Sequence, residues 1–116
     1  MKITIPNERP PTWNEMYAGV HWSERRETAN AIHWKVLEAV ADIEPVSHPV
    51  CVTVTVFFER RPYDCDNIPA KLYVDGLKKA RVIRDDNPGC VRQVTTVSRI
   101  DKNYPRVEIE IVEVSG

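Results

Sequence analysis

The sequence is short of cysteine: it has three, Cys51, Cys65 and Cys90, an odd number without paired spacing. Such usage argues against a disulfide framework and for a reducing compartment. The sequence also lacks an apolar run of about 18 residues, the length that a membrane-spanning helix needs. No basic segment followed by an apolar leader is found either. We therefore expect a cytoplasmic protein without a membrane segment.

An excess of charge of either sign is also absent. Lys and Arg number 16 and Asp and Glu 17, for a net charge of −1, which is not the balance of a strongly basic nucleic-acid binder. Local fields rather than net charge govern binding to polyanions, however. Basic residues are clustered along the chain. Most lie close in sequence to an acidic segment at residues 62–77, namely Arg60, Arg61, Lys78, Lys79, Arg81 and Arg84, and one further pair, Arg25 and Arg26, lies upstream. Each pair is a candidate phosphate contact or ordinary solvated surface, and both interpretations stay open.

The length of 116 residues fits one domain, and we expect a single domain over residues 1–116. A chain of this size buries roughly two thirds of the surface of its unfolded state, which is enough for a core without disulfides. The predicted order of elements is β-α-β-α-β-β. This order indicates an α+β fold with a mixed or antiparallel sheet.

The first half of the chain is predicted to form two strands and a helix. Residues 2–6 alternate between polar and apolar, and a loop is expected over residues 13–19. Ser23 is the predicted N-cap of a helix that continues to about Asp42, because its apolar positions recur at helical spacing. Residues 50–58 are β-branched and aromatic with a period of two, which predicts a strand.

The second half is predicted to form a helix and two strands. Asp66 or Asn67 is the expected N-cap of the helix, with Pro69 in its first turn, where a missing N–H costs nothing. The helix should end near Lys79 or Ala80. Strands are expected over residues 91–100 and 106–114, joined by a turn at residues 102–103. The adjoining apolar Ile111 and Val112 predict a bulge or a dimer contact in the last strand.

The most unusual stretch is the segment 62–77, in which three acidic residues, an Asn and a Lys are close together. Like charges repel, so a fold gains nothing from gathering carboxylates unless a cation lies among them. Asp64 and Asp66 are two residues apart, and in extended backbone their side chains point to the same side. Two carboxylates so placed can share one Mg²⁺ or Mn²⁺, which prefer oxygen ligands.

Further charged residues are predicted to reach the same site. Asn67, Lys71 and Asp75 are spaced four apart and form one stripe on the predicted helix, so Lys71 reaches towards the metal from that face. The pair Asp85-Asp86 lies in the loop after the helix and is a candidate for a third carboxylate. Carboxylates, a divalent metal and a Lys suit phosphoryl transfer on a phosphodiester, because the metal activates water and the Lys stabilises developing negative charge.

Spacing excludes a calcium loop and disfavours a zinc site, and one structural alternative stays open. A calcium loop that starts at Asp64 needs Gly at its sixth position, where the sequence has Pro69. A zinc site lacks cysteine and histidine ligands at paired spacing. The structural alternative is that Asp64 and Asp66 only cap or turn the backbone, while Lys71 forms a surface ion pair. Spacing alone does not decide between this alternative and a metal site.

Several motifs together resemble those of one enzyme family. They are Asp64-Cys65-Asp66-Asn67 at the start of a helix, Lys71 on it, the step Asp75-Gly76-Leu77, the later Asp85-Asp86, and an N-terminal strand followed by Pro10-Pro11-Thr12-Trp13-Asn14. In this combination the sequence resembles the RusA family of Holliday-junction resolvases over nearly its whole length. The resemblance implies a homodimeric, bacterial or phage-encoded endodeoxyribonuclease of DNA recombination and repair. Such an enzyme uses Mg²⁺, with Mn²⁺ as a substitute, to make paired nicks in four-way DNA junctions.

The resemblance also implies roles for particular residues. Asp64, Asp66 and Asp86 match the metal ligands of the family, and together with Lys71 they match its catalytic residues. A junction resolvase must hold phosphates on several arms, so basic residues near the site gain a role in DNA binding. The candidates for nucleic-acid binding are Asn14, Arg25, Arg26, Arg60, Arg61, Lys78, Lys79 and Arg84.

One departure from the family pattern bears on the function. In the family the Lys lies four positions after the second Asp, whereas Lys71 lies five positions after Asp66. The step from Lys71 to Asp75 is still four, so the extra residue is expected near Pro69, where the helix starts. Two alternatives therefore stay open on the same fold, a non-catalytic DNA-junction-binding protein and a protein-interaction module.

Aromatic side chains and a histidine complete the expectations. Trp13, Tyr17, Trp22 and Tyr63 are candidates for stacking on exposed bases. For Trp22 and Trp34 we favour packing in the core or in a dimer. His33 is expected on the apolar face of the first helix, as a core histidine whose hydrogen bonds are satisfied.

Overall fold

Four strands form one mixed sheet: β1 Lys2–Pro6, β2 Val50–Phe58, β3 Val91–Ile100 and β4 Arg106–Glu113. The helices are α1 Trp13–Tyr17, α2 Trp22–Ala39 and α3 Ala70–Lys79, and a short 3₁₀ helix, Cys65–Asn67, precedes α3. The computed structural model describes residues 1–114, which make a single α+β domain. The four predicted strands and the mixed α+β fold are thus confirmed.

The sheet has the strand order β1-β4-β2-β3. β1 and β2 both pair with β4 in antiparallel fashion, whereas β2 and β3 are parallel. Along β2, Val52, Val54 and Val56 are fully buried, and Thr53 and Thr55 between them are partly exposed. The period of two therefore separates a face that packs against the helices from a face that they leave open.

The predicted bulge at Ile111 and Val112 is wrong, because β4 pairs with β2 without a register shift at this point. Ile111 is buried opposite Val52, and Val112 lies opposite Cys51 on the other face, where it is 49% exposed. The register shift lies instead between Val50 and Cys51, where β2 pairs with β3. Of the two adjoining apolar residues, Val112 is therefore the one that is exposed. A dimer contact at Val112 stays a prediction.

The first helices are set by local caps that the sequence pattern did not single out. The hydroxyl of Thr12 accepts the backbone N–H of Glu15 at 3.0 Å and starts α1, where a loop was predicted. The N-cap of α2 is His21, whose Nδ1 accepts the backbone N–H of Ser23 at 3.1 Å, so the prediction of Ser23 as N-cap is wrong. Among residues 1–114, no helix combines the length and the apolar character that crossing a membrane requires.

The start of α3 differs from the prediction for a reason that lies in Pro69. A residue before proline is disfavoured in the helical region, and Ile68 accordingly has φ −83° and ψ 123°. The helix therefore begins only after Pro69, which is its N-cap, and the prediction of Asp66 or Asn67 as the cap is wrong. α3 ends at Lys79, as predicted.

Helices α2 and α3 approach each other closely at Gly76. A Cβ atom at this position would lie 2.9 Å from Cγ2 and 3.0 Å from Cβ of Val36, which is fully buried on α2. The absence of a side chain at Gly76 is therefore what allows α3 to lie this near to α2. Leu72, Tyr73 and Leu77 bury the sides of α3 that face the sheet and α2.

A buried carboxylate ties the N-terminal segment to both long helices. Glu8 is 5% exposed and is the one buried charged residue among those described. Its Oε1 lies 2.8 Å from Lys35 Nζ on α2, and Tyr73 on α3 donates its hydroxyl to Oε2 at 3.1 Å. Burial, and then the neighbouring Glu8 carboxylate, raise the pKa of Tyr73, so the hydroxyl stays protonated and able to donate. Breaking a buried pair of this kind leaves an uncompensated charge and is costly.

The substitution Gly76→Ala tests the close approach of the helices. Alanine gains about 1 kcal/mol in helix propensity, but overpacking against Val36 costs about 1–3 kcal/mol. We expect the free energy of unfolding to fall by about 1 kcal/mol in urea denaturation. In a double-mutant cycle, Val36→Ala should cost less in the Gly76→Ala background than in the wild type. A more stable Gly76→Ala protein would contradict the account.

Candidate active site

The acidic segment leaves β2 through a turn and a 3₁₀ helix. Asp64 has extended backbone, φ −61° and ψ 141°, and its carbonyl accepts the N–H of Asn67 at 2.9 Å, which closes the 3₁₀ turn. Asp66 lies inside this turn, so the expectation of extended backbone from Asp64 through Asp66 is wrong. The 3₁₀ helix contacts β3, and it carries the carboxylates to the edge of the sheet.

Asp64 and Asp66 are exposed, and within residues 1–114 neither side chain forms a hydrogen bond or an ion pair. Asp64 precedes the 3₁₀ helix without a side-chain cap, and α3 is likewise not capped by a side chain. The alternative in which these aspartates serve to cap or turn the backbone therefore loses its support. Their carboxylate oxygens are free to bind another group.

Asn14 lies beside the acidic segment although 53 residues separate it from Asn67. The backbone N–H of Asn14 donates to Asn67 Oδ1 at 3.4 Å, and the hydroxyl of Tyr63 donates to the carbonyl of Pro10 at 2.7 Å. These two contacts hold the loop around Pro10 and Pro11 and the start of α1 against the acidic segment, residues 62–77. Two stretches singled out separately in the sequence thus meet in the fold.

The charged stripe on α3 consists of Lys71 and Asp75, one turn apart. Lys71 Nζ lies 3.4 Å from Asp75 Oδ2, and the Lys71 side chain is 65% exposed. Asn67, expected on the same stripe, lies before the start of α3 and is therefore outside the helix. α3 begins only after the break at Ile68 and Pro69, so Lys71 and Asp75 both lie within the helix at a spacing of four residues.

The two aspartates in the loop after α3 make different contacts. Asp85 Oδ1 accepts the backbone N–H of Asp86 at 2.7 Å, and Asn87 donates to Asp85 Oδ2 at 3.2 Å. Lys78 Nζ lies 3.2 Å from Asp85 and 3.8 Å from Asp86. The backbone N–H of Asp86 and the ammonium of Lys78 lower the pKa of Asp85, and the hydrogen bond to Asp85 raises the pKa of Lys78. Asp85 is thus engaged in holding the loop, whereas the carboxylate of Asp86 keeps more freedom.

Lys71 and Asp86 line one cavity of about 380 Å³ between α3 and the start of β3. Val74 and Val94 contribute its apolar wall, and Arg92 adds a second cation that the sequence did not single out. A lone Arg within a strand gives no pattern that could have identified it. The cavity brings two of the four predicted catalytic residues to the same place.

The described part of the chain contains no group of three or more His, Cys, Asp or Glu side chains that could hold a metal ion. Asp64, Asp66 and Asp86 as metal ligands therefore stay a prediction. Their chemistry nevertheless fits a hard divalent cation, because carboxylate oxygens are its preferred donors and the carboxylates of Asp64 and Asp66 have no partner within residues 1–114.

The basic candidates divide by the contacts they make. Arg25 donates to the carbonyl of Val20 at 2.6 Å and lies over the ring of Tyr17, at 5.2 Å from its centroid, so it has a structural role. Lys78 is held by the aspartates of the loop. The other five form no ion pair within residues 1–114 and are exposed, namely Arg26, Arg60, Arg61, Lys79 and Arg84.

The prediction that Trp22 and Trp34 pack in the core is wrong, because on α2 their exposed fractions are 58% and 64%. A dimer contact for them stays a prediction. Trp13 is partly buried and stacks on Tyr17, with ring centroids 5.7 Å apart. Tyr63 packs on Phe58 at 4.6 Å, so its ring is engaged in the fold.

Comparison with protein families gives one finding. The model of the family described as endodeoxyribonuclease RusA matches residues 6–112. The match includes the proline-rich loop, the acidic segment, α3 and the aspartates of the following loop. No curated protein matches the sequence.

The exposure of Lys71 leads to a prediction about stability. Lys71→Ala removes one solvent-exposed pair with Asp75, so the free energy of unfolding should change by about 0.5 kcal/mol or less. Leu72→Ala, at the buried neighbouring position, should cost about 2–5 kcal/mol and shows that the assay responds. Urea denaturation measures both. A large loss for Lys71→Ala would mean that the side chain serves the fold.

Proposed function

The chain belongs to the RusA endodeoxyribonuclease family, and from that premise we propose that it is a Mg²⁺-dependent endonuclease that resolves four-way DNA junctions. The proposal is supported by two exposed carboxylates without partners in the described chain, and by a third carboxylate that shares a cavity with an exposed lysine. Asp64 and Asp66 are exposed without partners in the described chain, and Asp86 shares a cavity with Lys71. Neighbouring carboxylates repel one another, and a bound cation would offset that repulsion.

Asp64, Asp66 and Asp86 would hold the metal. A divalent metal bound there supplies a polarised water and neutralises charge on the scissile phosphate. Mn²⁺ is expected to substitute for Mg²⁺, because both prefer oxygen ligands. Asp85 does not belong to the proposed ligand set, since its oxygens are engaged by Asp86, Asn87 and Lys78.

The proposed roles of the other residues follow from their positions. Lys71 stabilises negative charge that develops on the phosphate, because its ammonium is exposed and its one ion pair, with Asp75, is solvent-accessible. Lys78 positions the aspartate loop. Asn14, fastened to Asn67, contacts DNA next to the carboxylates. Arg92 lines the cavity with Lys71 and is a further candidate phosphate contact.

We propose that the protein acts as a homodimer. Paired nicks on two strands of a junction need two active sites in a symmetric arrangement, and the chain has one acidic segment. Exposed apolar side chains available for such an interface include Trp34, Leu37, Ile100 and Val112.

A second candidate function is a junction-binding protein without cleavage. It is favoured by the absence of a ready metal-binding cluster within residues 1–114 and by the extra residue before Lys71. On this alternative the basic residues bind the arms, and the carboxylates have lost their role in hydrolysis.

Cleavage of a synthetic four-way junction separates the candidates. With Mg²⁺ we expect paired symmetric nicks, and Asp66→Asn should abolish them while leaving junction binding intact. Because Asp66 is exposed and its side chain caps no helix within residues 1–114, the metal-free variant should be as stable as the wild type or more so, since one negative charge next to Asp64 is lost. Asp42→Asn, which removes an exposed carboxylate outside the site, is the matched control and should cut normally.

The outcomes discriminate clearly. Binding without nicks by a well-folded dimer in both Mg²⁺ and Mn²⁺ would select the second candidate. Neither binding nor an effect of metal on the melting temperature would point to a protein-interaction module instead.

A further inference from the structure

A second cavity, of about 510 Å³, opens between α2 and the end of α3. It is lined by His33, Asp75, Lys78, Lys79 and Arg81, and it shares no lining residue with the cavity of Lys71 and Asp86. We call it the α2–α3 cleft. Three of its five lining side chains are cationic and one is a histidine, so the cleft is suited to an anion.

The positive charge of the α2–α3 cleft is only partly neutralised. Lys78 is paired with Asp85 and Asp86, and Asp75 is paired with Lys71. Lys79 and Arg81 form no ion pair with any residue from 1 to 114. Two cations in the cleft therefore remain available to a ligand.

His33 presents unused hydrogen-bonding groups at the same place. Both of its ring nitrogens are buried, and neither has a hydrogen-bond partner in residues 1–114, so the expectation of a satisfied core histidine is wrong. Burial, and then the charge of Lys79, lower the pKa of His33, while Asp75 acts in the opposite sense. A neutral imidazole still carries one N–H donor, and a buried donor without a partner is unfavourable. An acceptor oxygen in the cleft would satisfy this donor once a rotation of the imidazole ring exposes the nitrogen.

Arg81 stands where the backbone favours glycine. Its φ is +62°, and it follows the C-terminus of α3. Val82 donates its N–H to the carbonyl of Leu77 at 3.0 Å and Arg81 donates to Lys78 at 3.0 Å, the hydrogen-bond pattern of a Schellman motif. Glycine is usual at this left-handed position, because other side chains are strained there. A strained residue of this kind is motivated by function more readily than by stability.

We propose that the α2–α3 cleft binds a backbone phosphate of a DNA arm, with Lys79 and Arg81 supplying charge and His33 an N–H donor. This inference rests on the proposed function, which it deepens by adding a phosphate subsite away from the site of hydrolysis. Lys71 and Lys79 are eight residues apart on one helix, about 12 Å. A DNA strand carries a phosphate about every 3.4 Å of helix axis, so an arm only a few nucleotides long reaches from one cavity to the other.

Two substitutions in the cleft test the proposal with the full-length protein. Arg81→Gly suits the left-handed backbone, so it removes the charge without harming the fold, and its melting temperature should rise by about 4 °C. Lys79→Ala removes the other free cation. Lys102→Ala, which removes an exposed cation without an ion pair in residues 1–114 from the turn before β4, is the matched control. Dissociation constants for a four-way junction are measured in EDTA, which prevents cleavage, over a series of salt concentrations.

For Arg81→Gly and for Lys79→Ala we expect about tenfold weaker binding of the junction at low salt. The slope of the logarithm of the binding constant against the logarithm of salt concentration should fall in magnitude by about one, because one counterion fewer is released. The control should bind as the wild type does. If wild-type protein binds and cuts the junction but both cleft variants bind equally well, the cleft proposal is wrong and the proposed function stands. If wild-type protein fails to bind the junction, both fall. A lower melting temperature for Arg81→Gly would show that Arg81 supports the fold and would overturn its assignment.

Discussion

The close packing of α3 against α2 is the constraint on which both candidate sites depend. Gly76 lets the backbone of α3 approach Val36, and the buried side chains of α3 fix its rotation about its own axis. With most of the helix surface buried, Lys71 is exposed to solvent, Asp75 is partly exposed, and the end of the helix brings Lys79 close to α2. A small shift of this helix would move both cavities together. The buried pair of Glu8 with Lys35 adds a second restraint, because it links the N-terminal segment to α2 and, through Tyr73, to α3.

The residues that stabilise the fold are thus different from those proposed to bind the metal and DNA. Apolar contacts and one buried carboxylate support α3 from within. Within residues 1–114, the exposed carboxylates of Asp64 and Asp66 form no hydrogen bond or ion pair. Charges that repel one another in the metal-free protein are tolerable at an exposed edge, where water screens them, and they become useful when a cation binds. The proposed chemistry therefore lies on surfaces that change with little effect on stability.

The sequence predicted the strands and the end of α3 well, because side-chain periodicity reports directly which face of an element is buried. The predictions of helix starts were wrong, because a single local interaction determines where a helix begins. Ile68 precedes a proline and is not helical, so α3 begins later than predicted. His21, and not Ser23, is the N-cap of α2. Asp86 and Lys71, assigned to one site from the sequence, line the same cavity, and their catalytic role stays a prediction. The different contacts of Asp85 depend on hydrogen bonds within the loop, which the sequence pattern does not show. The unsatisfied state of His33 was beyond the sequence, since a hydrogen-bond partner is a matter of tertiary position.

The central claim is that three carboxylates, two from the acidic segment and one from the loop after α3, bind one divalent metal beside Lys71. A crystal structure of the protein with Mn²⁺, located by its anomalous scattering, tests this claim most directly. The account predicts a metal peak with oxygen atoms of Asp64, Asp66 and Asp86 at about 2.1 Å, the distance typical of small divalent cations. A metal bound without Asp64 and Asp66, or no bound metal in a well-ordered acidic segment, would contradict it.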